Sequence, residues 1–130
     1  MKKVFILLAV LVLGTLSGQA QENLTSYTME TFEFNSKTKN FHQTGNLEQT
    51  TTIFYSGDKI VFMTSPSDFI EVTNLSYVDT RYHKGNKESS YAGYINRSRT
   101  MVTFIGGKDI SVVDMASNSK LVFKDCTLNN

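Results

Sequence analysis

Apolar residues fall along this chain in two patterns. Residues 4–13 form one unbroken apolar run, whereas beyond Gln21 the apolar positions come in short clusters of β-branched and aromatic residues, broken by Gly, Ser, Asn, Asp or Lys. The breaks recur about every eight to twelve residues, the spacing of an antiparallel meander. This predicts strands over residues 27–35, 47–55, 59–64, 69–81, 91–96, 100–105, 109–115 and 120–124. Between them, Ser56-Gly57-Asp58, Ser65-Pro66-Ser67-Asp68, Lys84-Gly85-Asn86-Lys87, Gly106-Gly107 and Ala116-Ser117-Asn118-Ser119 supply residues tolerant of positive φ or preset for a turn. Pro66, the sole proline, falls in a turn and breaks no ladder. So many strands leave no room for a long helix. The expected fold class is all-β: a single antiparallel meander of about eight strands forming a small barrel or β-sandwich, as one domain over residues 21–130.

Alternation assigns faces within the strands. Ile60 and Phe62 share one face and Val61 and Met63 the other; Ile110 and Val112 likewise oppose Val113 and Met115. A strand apolar on both faces is central in a layered structure or lines a barrel covered from outside. Residues 27–35 alternate less regularly, since Tyr27 and Met29 oppose Phe32 and Phe34. A bulge near Thr31 is expected to reconcile them.

The N-terminal run has a different logic. Lys2 and Lys3, then the apolar residues 4–13, then the small and polar residues 14–20 follow the order of a secretory signal peptide, expected over residues 1–20 as a cleaved signal helix. A membrane-crossing helix needs roughly twenty apolar residues, about twice this run. Gly18 and Ala20 stand where a signal peptidase requires small residues ahead of a cut before Gln21. A lipid anchor would need a cysteine at the cut, and the only cysteine is Cys126. The mature protein is therefore expected to be secreted or periplasmic, with no stable membrane anchor. Loss of Lys2 and Lys3 takes the 13 basic residues to 11 against 12 acidic ones, a net charge of about −1. That balance gives no electrostatic case for nucleic acid or an anionic membrane. A domain of this size buries roughly 60–70% of its unfolded surface and needs no staples. Cys126 is accordingly read as a spare thiol near a frayed chain end.

The meander of strands joined by tight turns resembles the lipocalin and fatty-acid-binding barrels, a likeness that implies a carrier of an apolar ligand. The chain departs from lipocalins in having no Gly-x-Trp motif and no tryptophan. It also resembles small exported β-proteins of bacteria, which pair a Lys-Lys signal and an Ala-Gln cut with an aromatic strand, a turn like Ser36-Lys37-Thr38-Lys39, and terminal hairpins like residues 91–124. That resemblance brings no activity with it.

A search for chemistry finds no phosphate loop, His-Glu-x-x-His, Cys-x-x-Cys, calcium loop or Gly-x-Ser-x-Gly elbow. With only His42 and His83, a three-histidine zinc site is impossible. Asp79 and His83 point the same way from one strand but lie about 13 Å apart at roughly 3.3 Å per residue, too far for a hydrogen bond. The segment holding Arg81, Tyr82, His83, Lys84 and Lys87 mixes cations with an aromatic ring and is the candidate ligand-contact loop, set against an ordinary charged hairpin. Lys37, Lys39, Arg97, Arg99 and Lys120 fall near the opposite end if the strands run up and down. No enzyme, cofactor or metal site is expected. The expected function is an exported noncatalytic binding or interaction module for an unknown protein or small-molecule partner; the alternative is a small β-barrel carrier of an apolar ligand.

Overall fold

The computed structural model describes residues 22–129, so the expected signal segment lies outside the described residues. Nine strands run in order: β1 (Glu22–Asn35), β2 (Asn40–Tyr55), β3 (Ile60–Ser65), β4 (Asp68–His83), β5 (Asn86–Ile95), β6 (Ser98–Ile105), β7 (Asp109–Asp114), β8 (Ser119–Lys124) and the two-residue β9 (Thr127–Leu128). Each of β1 to β7 pairs antiparallel with its successor, and β8 and β2 both pair with β1. The meander therefore closes into an eight-stranded barrel, not a sandwich, and β9 prolongs the β8 side along Leu24 and Thr25. No helix occurs among the described residues.

All eight expected strands are present, and several run longer than their apolar clusters. β2 begins at Asn40 and β5 at Asn86, through residues 40–46, polar but for Phe41, and the polar stretch Asn86–Ser90. These residues are held by ladder bonds to a hairpin partner, not by a buried face of their own. The turn between β4 and β5 has positive φ at both central residues, Lys84 (50°) and Gly85 (81°), the geometry that matches the twist of a two-residue hairpin.

The irregularity expected near Thr31 is found between Thr31 and Phe32, but the surplus residue is Thr44 on β2. The change of face in β1 happens earlier, at Tyr27, where Gln49 and Thr50 of β2 stand against one residue. Leu24 and Met29, an odd number of residues apart, then both reach the interior, while Tyr27 is exposed. Phe32 and Phe34 stay outside.

Ile53, Ile60, Phe62, Val72, Val102, Ile110, Val112 and Phe123 fill the barrel. At its centre the rings of Phe62 and Phe123 stack, 4.5 Å apart and 10° from parallel. Both faces of β3 are apolar as the alternation requires: Val61 and its cross-strand partner Phe54, on the outward side, are buried as well.

Strand stagger decides which backbone edges are covered. A path of paired residues leaving β2 at His42 runs through Glu33, Ser119, Asp114, Thr100 and Gly93 to the β4 bulge between Thr73 and Ser76. From Val72 beside that bulge it continues through Ile60 and rejoins β2 at Tyr55, near its far end. A barrel closes only with such shear. As a result, β3 covers β2 from Thr52 onward, and residues 40–51 have β1 alone as a neighbour.

Candidate functional site

Up-and-down order sets the turns after β1, β3, β5 and β7 at one end of the barrel, and those after β2, β4 and β6 at the other with the chain past β8. The candidate loop, at the tip of the β4–β5 hairpin, belongs to the second end. Its residues do not converge. Arg81 pairs across with Glu88, Tyr82 with Lys87 and His83 with Asn86, so Arg81 and His83 share one face and Tyr82 and Lys87 the other. Arg81 Nε donates to Asp79 Oδ2 at 3.1 Å, which neutralises the cation and takes up the carboxylate considered for acid–base work with His83. Tyr82, 75% exposed, projects into solvent beside the Lys84-Gly85 turn.

The second end also carries a cavity of about 220 Å³ at the barrel mouth, between Leu24, Tyr55, Phe104, Lys108, Asp109 and Cys126. Tyr55 and Phe104 of its lining meet with centroids 5.3 Å apart, and from Phe104 a run of rings leads away through Tyr91 (5.6 Å) to the exposed Tyr77 (5.6 Å further). Burial, then the charge and hydrogen bond of Tyr91, push the Tyr55 hydroxyl up to about 12, so it is a neutral donor at physiological pH. Asp109 is almost fully buried. Burial by itself would raise its pKa, but hydrogen bonds from Lys124 Nζ (2.9 Å) and the Asp125 amide (3.0 Å), with the charges of Lys124 and Lys108, hold the carboxyl below its usual range. It is a structural anion with its oxygens occupied.

Cys126 corrects the expectation of a thiol at a frayed end. It is buried in the core cluster, with Sγ donating to the Phe123 carbonyl and its amide to the Lys108 carbonyl. Desolvation, then the neighbouring Asp109 charge, push its pKa up to about 11, leaving almost no thiolate for nucleophilic attack.

At the first end, a cavity of about 110 Å³ opens between Gln49 of β2 and the β3–β4 hairpin, floored by Met29, Phe62 and Phe123 and rimmed by Thr64 and Asp68. Nearby, on the outward face, Lys120 Nζ sits 5.0 Å from the Phe32 ring and 5.3 Å from Phe41, and Phe41 packs edge-on against Phe34. Of the five cations expected at this end, Lys120 is thus the one held over aromatic rings. Neither this cluster nor the Asp109–Lys124 pair has a local sequence signal, because each is assembled across strands that only closure of the barrel makes neighbours.

The fold and these sites define a small closed meander barrel with a packed centre, two shallow mouths and aromatic side chains on its exterior. No protein-family model, curated protein or solved structure matches this chain.

Proposed function

We infer that this chain is an exported, noncatalytic binding or interaction module that engages its partner through its outer surface. The observation that supports it is where the aromatic volume goes. Phe62 and Phe123 occupy the centre of the barrel, while Tyr27, Phe69, Tyr77 and Tyr82 are each more than half exposed. Tyrosine and phenylalanine rings left outside a filled interior offer large amphipathic or apolar contact area to a partner. The neutral thiol of Cys126 and the occupied carboxylate of Asp109 supply no nucleophile or base. Export rests on the order of charged, apolar and small residues over positions 1–20.

The carrier reading is favoured by one feature, the mouth cavity of about 220 Å³. Pockets that enclose a drug-sized ligand run from roughly 300 to 1,000 Å³. Titration of the purified protein with a fluorescent fatty acid separates the two. The surface reading expects no saturable uptake; one probe per chain at micromolar concentration, lost on filling the mouth, would overturn it. Mass spectrometry of protein recovered from the exporting host should show an N-terminus at Gln21, and retention of residues 1–20 would remove the export component.

A further inference from the structure

We propose that the uncovered half of β2 is a strand-addition site. An extended polypeptide segment pairs along Gly45–Glu48 and lodges one aliphatic side chain, flanked by a lysine or arginine, in the pocket beside Gln49. This rests on the surface-binding reading and names the class of partner.

The first observation is the edge. Residues 40–51 pair with β1 on one side, β3 begins its pairing only at Thr52, and among the described residues no turn or loop backbone bond reaches this stretch. An unpaired edge presents a row of N–H and C=O groups that an extended backbone satisfies, and native proteins guard such edges with lysine, proline or bulges. Between Asn40 and Thr51 there is no Lys, Arg or Pro. The bulges at Thr44 and at Gln49-Thr50 leave a short regular stretch, Gly45–Glu48, between them. They bend the strand and restrict the edge to a short guest. The free edge of β4 contrasts with it: a bulge at Val78 and the Arg81–Asp79 ion pair interrupt that run.

The second observation is the pocket, which adjoins the same edge. A strand added to β2 continues the line of β3 past Ser65, so its inward side chain arrives between Gln49 and the rim residues Thr64 and Asp68, above Phe62 and Phe123. A cavity of roughly 150 Å³ lined by apolar side chains accepts benzene; this one, at about 110 Å³, fits a leucine-sized group. Leu47 shares the inward side with its partner Met29 yet is 49% exposed, an apolar contact waiting at the same edge. Main-chain pairing with a side-chain pocket is how strand addition divides affinity from selectivity.

Charge narrows the guest further. Asp68 on the rim and the exposed Glu48 are the charged groups beside the site, which favours a cationic neighbour to the aliphatic residue. A second copy of β2 is a poorer guest, since it brings no Lys or Arg and sets a second Glu48 at the interface.

The test uses the blocked peptide Thr-Thr-Lys-Leu-Lys-Thr-Thr, its counterpart with Asp in place of Leu, and amide NMR of the purified protein. Saturable binding tighter than about 1 mM is expected. Shifts and slowed hydrogen exchange should be confined to Gly45–Gln49 and the pocket walls. Both the Leu47→Lys variant and the Asp-containing peptide should weaken binding by about tenfold or more. Leu47 is half exposed, so the variant should keep the native spectrum elsewhere. No binding at that concentration, or binding that survives both changes, overturns the edge site. Shifts mapping to the β4–β5 tip or the Phe32–Phe41 face overturn it while leaving surface binding intact. Dimers that pair Gly45–Glu48 between two copies overturn the foreign-peptide assignment. Failure of the surface reading itself is registered separately, by saturable uptake of the fatty acid.

Discussion

Phe62 shows how one side chain carries a disproportionate share of the fold. It is 2% exposed, stacks on Phe123 and forms the floor under the pocket at the first end. Truncation to alanine removes the stack and leaves a void at the centre of the barrel, where β3 is held by ladders to β2 on one side and β4 on the other. Phe62→Ala should therefore cost about 3–5 kcal/mol. Urea unfolding measures it, and a loss under about 1 kcal/mol would mean that the ring contributes little to the core. That Phe62 shares an apolar face with Ile60 was legible from their spacing. That it meets Phe123, far along the chain, was not, since no local pattern ties β3 to β8.

At the scale of elements, alternation and turn chemistry located all eight long strands, but their ends obeyed other rules. Residues 40–46, polar but for Phe41, fell outside the expected strand over 47–55, and Asn86–Ser90 outside that over 91–96; both are strand because a hairpin partner satisfies their backbone. Propensity in strands reflects packing and burial more than backbone preference, so exposed strand ends are the part it describes least well. Bulges are the other feature that local reading placed imperfectly. The expected bulge near Thr31 resides on the partner strand at Thr44, because register belongs to a pair of strands. Gly93 makes the point testable. It faces the interior opposite the β4 bulge, where an added Cβ would come within 2.8 Å of the Thr73 carbonyl oxygen and of Val72 Cγ1. Because one of those neighbours is backbone, Gly93→Ala should destabilise by about 1–3 kcal/mol through overpacking. An unchanged urea midpoint would show that the bulge shifts to admit the methyl group.

For the molecule as a whole, the Asp109–Lys124 pair joins β7 to the end of β8 and gives stability a defined pH dependence. The folded pKa of Asp109 lies below its ordinary value. Its contribution is thus present above the unfolded value, about 3.9, and fades as pH falls through the lower folded value. Lys124 mirrors this. The hydrogen bond to Asp109 raises its pKa, so its contribution holds below about 10.4 and fades as pH rises through the folded value. Asp109→Asn should cost about 1–3 kcal/mol at neutral pH, and its unfolding curve should approach that of the parent at the acid limit. A constant difference down to that limit would assign the loss to packing instead of charge.

What the sequence determined by itself was everything that depends on neighbours along the chain: the all-β class, the strand count, the tight turns, the two apolar faces of β3 and the modest charge. These come from period-two alternation and from residues that tolerate positive φ, both properties of a few consecutive positions. Tertiary structure alone decided that the meander closes, with what stagger, and therefore which edge stays uncovered. It placed Cys126 in the core and gathered Phe32, Phe41 and Lys120 on one outer face. Each of those outcomes depends on cross-strand register accumulated around a closed ring. Register is a relation between distant segments, set by the packing of all the interior side chains together, so no single stretch of sequence contains it.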